Sequence, residues 1–205
     1  DKSQASRGVE DYWIVKTDAA GNKLWDRRFG GTSNDSLYSI QQTADGGYIL
    51  GGYSSSGAGG DKSQASRGMF DCWIVKTDSA GNKQWDKRFG GSLGESLSSI
   101  RQTPDGGYIL GGSSVSGADG DKSQGSRGGY DYWVVKIDGA GAKQWDRRFG
   151  GAGADQLHNI IQCPDGGYIL AGVSTSDAGG DRSDTTRGGR DYWPVKVDAA
   201  GEKVW

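Results

Sequence analysis

Two residue types recur in this chain at a spacing that could build binding chemistry. An arginine and a tryptophan, each with an aspartate close by, return every 60 residues. Asp61, Arg67 and Trp73 form one set, and Asp121, Arg127 and Trp133 form the next. Arginine with tryptophan is a combination that holds sugars and protein surfaces, because the ring offers a broad apolar face and the guanidinium fixed donors. The same groups can instead tie one hairpin to its neighbour, and we expect that cohesive role first and a ligand role second. Asp119, Asp121 and Ser123 in the run GADGDKS alternate oxygen donors as hard cations prefer. The matching runs lack the extra acid at Gly59 and Gly179, and no bidentate glutamate follows. Calcium at Asp119 and Asp121 is therefore the one metal candidate, and no other cofactor is expected.

Catalytic sets fail for a common reason. Gly57-Ala58-Gly59-Gly60-Asp61-Lys62-Ser63 has the look of a phosphate loop, but Asp61 intervenes before the lysine and no apolar helix follows. Gly151-Ala152-Gly153-Ala154-Asp155 lacks the third glycine of a dinucleotide fingerprint. Carboxylates at Asp11, Asp18, Asp26, Asp35 and Asp45 return in each unit. Acid–base pairs need two unlike environments, whereas a repeated acid reads as a turn or strand cap. The single histidine, His158, stands where other copies have Tyr38 and Ser98, so it reads as incidental. From one histidine no Ser-His-Asp or histidine–metal set can be built. The expectation is a chain that is not an enzyme.

The elements that must position these groups are themselves repeated. Asp11–Trp25 reads DYWIVKTDAAGNKLW and returns at Asp71–Trp85, Asp131–Trp145 and Asp191–Trp205 without insertion. Units run 1–60, 61–120 and 121–180, with a partial unit at 181–205, and together they read as one repeat array over 1–205. A fixed period of this size marks a propeller, solenoid or array. Each unit holds four strand patterns. Ser36–Thr43 is the first, and Tyr48–Ser54 follows after the turn Ala44-Asp45-Gly46-Gly47. A long Gly/Ser/charged loop then leads to the hairpin, whose second strand ends at Phe29 or its equivalent. No stretch shows helical apolar spacing. In the hairpin, Trp13 and Val15 share one face while Tyr12 and Ile14 share the other. Apolar residues on both faces belong to a sheet sandwiched between sheets. The leaner strand around Ser39, Gln41 and Gln42 suits an inner strand, and Gly51 and Gly52 permit neighbouring sheets to approach.

Composition agrees. Glycine is abundant (38 of 205) while proline appears 3 times, which fits tight turns and not a collagen-like chain. Eight tryptophans and nine tyrosines argue against disorder. Basic and acidic residues nearly cancel to a net charge of −2 and are well mixed, which leaves nucleic-acid binding without its electrostatic footprint. No run approaches the length of a membrane-spanning helix. Cys72 and Cys163 are one-copy substitutions, so neither a disulfide framework nor a cysteine metal site is expected.

The runs Asp45-Gly46-Gly47-Tyr48-Ile49-Leu50-Gly51-Gly52, Asp11-Tyr12-Trp13-Ile14-Val15-Lys16 and Asp18-x-x-Gly21-Asn22 resemble the seven-bladed type of β-propeller repeat found in secreted and surface-attached bacterial proteins. The resemblance covers the whole chain. It implies a propeller fold, an extracellular or cell-surface setting and a structural or binding role, with no catalytic residues. The fold expected is thus all-β, with about three and a half four-stranded antiparallel blades. Both ends present the same half-blade, so the chain reads as a piece of a longer protein, a larger ring or a polymer.

The expected function is a repeat module for scaffolding, adhesion or filament assembly, with other copies of itself or the rest of a longer parent chain as partners. The alternative is a multivalent carbohydrate-binding propeller that takes surface glycans, one site per blade gap. The loop GAGGDKSQASRG is the expected seat of any variable functional surface.

Overall fold

A computed structural model describes residues 2–205, and every regular element in it is a strand. The first hairpin comprises β1 (Tyr12–Thr17) and β2 (Lys23–Phe29). A four-stranded sheet follows from β3 (Asp35–Gln42), β4 (Tyr48–Ser54), β5 (Asp71–Thr77) and β6 (Lys83–Phe89). The next is built the same way from β7 (Glu95–Gln102), β8 (Tyr108–Ser114), β9 (Asp131–Ile137) and β10 (Lys143–Phe149). The last sheet holds β11 (Asp155–Gln162), β12 (Tyr168–Ser174) and β13 (Asp191–Val197), with Lys203 bridging to Val197 where a fourth strand would begin. All neighbours pair antiparallel in chain order, which makes these sheets partial and complete propeller blades.

The turns follow from their residues. Gly46 takes φ of 80° between β3 and β4, a left-handed conformation that glycine adopts without strain. Asp18 caps its own turn, accepting from the N–H groups of Ala20 and Asn22, and does not reach a neighbouring strand. The hairpin is aligned instead by Lys76 on Asp45 (2.8 Å) and Lys136 on Asp105 (2.9 Å).

Successive sheets pack through their inner strands, with β3 against β7 and β7 against β11. The polar residues of those strands stitch them together. Ile100 donates its N–H to Ser39 Oγ (3.2 Å), Gln102 to Gln41 Oε1 (2.7 Å), and Ser99 Oγ donates to Asn159 Oδ1 (3.0 Å). Gly51 makes the close approach possible, since a Cβ there would stand 2.7 Å from Leu97. Ala171 tolerates its methyl at the matching position because no further sheet covers it.

The core lies between sheets. β5 and β9 are buried along their whole length and on both faces. Tyr12, Ile14 and Phe29 pack on Leu50, Trp73 and Val75, and the next two gaps repeat that contact with their own residues. Cys72 and Cys163 are free thiols.

Candidate functional site

The long loop between the second and third strands of each unit proves to be a buckle. Lys62, in its middle, is 3 % exposed and lies 5.5 Å from the Trp73 ring, with its ammonium donating to Ser54 and Ser66. Burial pushes its pKa down to about 8. Lys122 repeats the arrangement over Trp133, and Arg182 fills the slot in the last sheet. Ser63 donates its N–H to Asp86, while Gln64 accepts the N–H of Arg88, so the loop is sewn along β6.

Each sequence-predicted site residue has a place in this buckle. Asp61 accepts from Arg7 (2.8 Å) and from the Gly30 N–H (3.1 Å) of the preceding sheet. Arg67 reaches forward to Asp121 (2.9 Å) and to the Gly90 carbonyl (3.2 Å). Arg127 reaches in the same way to Asp181 (2.8 Å) and the Gly150 carbonyl. Asp121 also accepts from Arg88 (3.2 Å). Two arginines therefore meet one aspartate across each sheet-to-sheet gap, while the acids of the Asp11 type accept the backbone N–H of the loop arginine and lie beside a second guanidinium, as Asp71 does beside Arg88 (3.6 Å). Trp73 and Trp133 are 0 % and 2 % exposed, and their indole N–H groups are committed to Asp86 and Asp146. Neither ring offers a face to a sugar, because the neighbouring sheet already covers it.

Asp119 accepts from the N–H (3.0 Å) and hydroxyl of Ser92, and Asp121 is occupied by two guanidinium groups. Among the described residues, no three acids, histidines or cysteines stand close enough to share a metal ion. Asp131 is buried beside Asp155, and desolvation raises its pKa to about 6 despite Arg148 nearby.

The outermost sheet faces carry the second arrangement of note. Trp13 and Val15 are 41 % and 43 % exposed, whereas their equivalents Trp73 and Val75 are fully buried. At the opposite end Tyr192 is 91 % exposed, whereas Tyr12 and Tyr132 are fully buried. Inside the molecule these two surfaces meet. Tyr132 sits with its ring 5.0 Å from that of Trp193, and its hydroxyl donates to the Trp193 carbonyl (2.9 Å). One end of the chain thus presents the tryptophan half of this contact and the other end presents the tyrosine half. Sequence reasoning kept a ligand role for the tryptophans as its second reading because spacing does not distinguish a covered sheet face from an open one.

No family model matches the chain. Among curated proteins it is similar to the regulatory protein FlaEY of Caulobacter vibrioides, with 28 % identity over 178 residues. That match takes in 82 % of this chain and 18 % of FlaEY, so the chain spans about a fifth of that relative's length. Among solved structures it is similar to a protein of unknown function from Bacteroides caccae, with a TM-score of 0.52 at 10 % identity over 96 % of this chain and 57 % of the other. A mutant of the Synechocystis apocarotenoid oxygenase overlaps 89 % of the chain and 41 % of its own, with a TM-score of 0.44 at 13 % identity. The expectation of a chain that is not an enzyme does not stand, because the missing one-copy constellation does not exclude catalysis; the overlap with the oxygenase assigns this chain no activity. What the comparisons establish is an all-β chain of repeated four-stranded antiparallel sheets, of β-propeller type.

Proposed function

We propose that the chain is a repeat scaffold that works by laying its sheets against further sheets of the same repeat. The observation that carries this reading is the pair of complementary open faces, Trp13 with Val15 at one end and Tyr192 at the other. The internal gap between Tyr12 and Trp73 is the template, with ring centroids 4.7 Å apart and a hydrogen bond from the tyrosine hydroxyl to the tryptophan carbonyl. Burying such aromatic faces is favourable at about 25 cal/mol per Å² of apolar surface. Near-identical units also give many equivalent contacts, whose combined strength exceeds that of one.

The partner in this reading is a second copy or another part of a longer parent chain, and the setting is extracellular or at the cell surface, as the propeller-repeat resemblance implies. Adhesion and filament formation are the roles such stacking serves. The name of the Caulobacter relative, a regulatory protein, is compatible with a chain that acts by holding partners. A multivalent sugar-binding reading built on Trp73 and Trp133 is not favoured, since both rings are buried.

Sedimentation velocity of the 205-residue chain across a wide concentration range tests the proposal. Mass should rise with concentration, and Tyr192→Ala should abolish the rise while leaving the fold intact. A chain that stays monomeric at every concentration would sink the reading.

A further inference from the structure

The three full units form an internal alignment, and their differences are not scattered. All three copies differ at ten positions: 9, 10, 19, 32, 33, 34, 38, 41, 53 and 55 in first-unit numbers. Eight of these, all but 19 and 41, meet on one rim of the sheets. Glu10 bridges Asn34, Phe70 bridges Gly94, and Met69 donates to the Leu93 carbonyl. Ser55 and Val115 donate to the carbonyls of Asn34 and Gly94. Tyr38 stacks on Tyr53 (5.7 Å), and Phe70 packs tilted against Tyr53 (5.1 Å). By contrast, the octet DKSQASRG of the long loop is identical in the first two units. Three-way divergence concentrated on one rim of near-identical copies marks a surface whose chemistry matters. It is not the loop expected from sequence.

The rim residues lie in rows across each sheet. The second sheet carries Tyr38, Tyr53 and Phe70, the third carries Ser98, Ser113 and Tyr130, and the last carries His158, Val173 and Arg190. Tyr38, Ser98 and His158 are each the unpaired residue of a β-bulge, a device that re-aims a side chain. Where the middle row exchanges two aromatic rings for two serines, a cleft of about 320 Å³ opens. This volume lies within the ~300–1,000 Å³ of small-molecule sites. Tyr53 and Phe70 form one wall, Ser96 and Ser98 belong to the sheet beneath, and Gln156 and His158 stand opposite. No carboxylate, lysine or arginine lines it. Ser113 and Ser98 are engaged with the backbone of Leu157. Among the described residues, the Ser96 hydroxyl, the Gln156 amide and the His158 ring have no protein partner, and they stay available to a ligand.

We infer that this cleft is a binding site for a neutral saccharide, one per chain. Aromatic rings supply the apolar face that a sugar ring stacks on, while hydroxyl, amide and imidazole groups match its hydroxyls. The lack of any charged lining residue selects against sulfated or carboxylated sugars, whose charge would lose water without gaining a partner. The site is single because the aromatic-to-serine exchange occurs once. Glu10 replaces Phe70 at the preceding gap, and Arg190 replaces Tyr130 at the following one. This site shares His158 with the open Tyr192 face, while Tyr53, Phe70, Ser96 and Gln156 lie off that face.

Calorimetric titration of the chain with cello-, chito-, xylo- and malto-oligosaccharides, beside sulfated and uronic-acid counterparts, is the test. Saturable binding of a neutral oligosaccharide at one site per chain is expected. Phe70→Ala and Gln156→Ala should each weaken it by about tenfold while the chain keeps its strand content and a cooperative unfolding transition. Gly94→Ala supplies an independent check, because a Cβ there stands 2.8 Å from the Phe70 ring tip and moves the wall without removing it. Affinity should fall in that variant too. Absence of binding across the neutral panel, preference for the anionic sugars, three sites per chain, or affinity indifferent to all three substitutions would each overturn the inference.

Discussion

The hydroxyl of Tyr12 donates a 2.8 Å hydrogen bond to the carbonyl of Trp73, one sheet away, with both side chains fully buried. That contact states in two residues how the sheets cohere, because it joins apolar burial to a satisfied polar tip. Its consequence is measurable. Tyr12→Phe keeps the ring and loses the hydrogen bond, which should cost about 1 kcal/mol. Tyr132→Phe should cost a similar amount through Trp193, and chemical denaturation of both variants would show whether the two gaps are energetically equivalent.

A second prediction uses one unit to correct another. Glu95 Oε1 accepts from Ser114 (2.7 Å) and from Ser116, whereas the shorter Asp35 and Asp155 each leave a buried Oδ1 without a partner. Asp155→Glu should let the carboxylate reach Ser174 as Glu95 reaches Ser114. A gain of about 1 kcal/mol is expected, the worth of one recovered hydrogen bond. A lower melting temperature in the variant would contradict this account.

Acid behaviour should centre on Asp131. Burial raises its pKa to about 6, above the ordinary carboxylate value, so the folded chain binds this proton more tightly than the unfolded one. Its contribution to stability is therefore greatest below the unfolded pKa and declines as pH rises through about 6. In Asp131→Asn that segment of the pH–stability curve should flatten relative to the parent, measured by denaturation at a series of pH values.

Lys62 predicts the opposite slope in the alkaline range. Its folded pKa of about 8 lies below the ordinary lysine value, so the unfolded chain holds the proton more tightly. Stability from this group should rise as pH climbs from about 8 towards the unfolded pKa. Lys62→Arg should remove that rise, since arginine stays charged. The change should be tolerated, because Arg182 already fills the matching slot and donates to Ser174 (2.8 Å) and the Ser176 carbonyl (2.7 Å).

Strand positions, the glycine turn at Gly46 and burial of both hairpin faces could be read in the chain, because they depend on local periodicity and backbone chemistry. The first strand begins at Asp35 where the pattern placed it at Ser36, a difference of one residue. The roles of the repeated charges were not legible in the same way. Arg67 and Asp121 meet only across a gap between sheets, and spacing along one chain does not reveal which unit answers which. Nothing in the spacing sets Lys62 apart from the other loop residues, yet the loop folds it under its own tryptophan.

The sequence by itself determined a four-stranded all-β unit, repeated about three and a half times, since alternation and turn residues act within a few neighbours. Tertiary structure alone decided which of those residues meet solvent. It closed the Arg67 loop into a buckle, buried Trp73 while leaving Trp13 open, and gathered Phe70, Ser98 and His158 from three sheets onto one rim. The physical reason is that burial and proximity between sheets arise from stacking, and stacking joins residues some 60 positions apart that no local pattern connects.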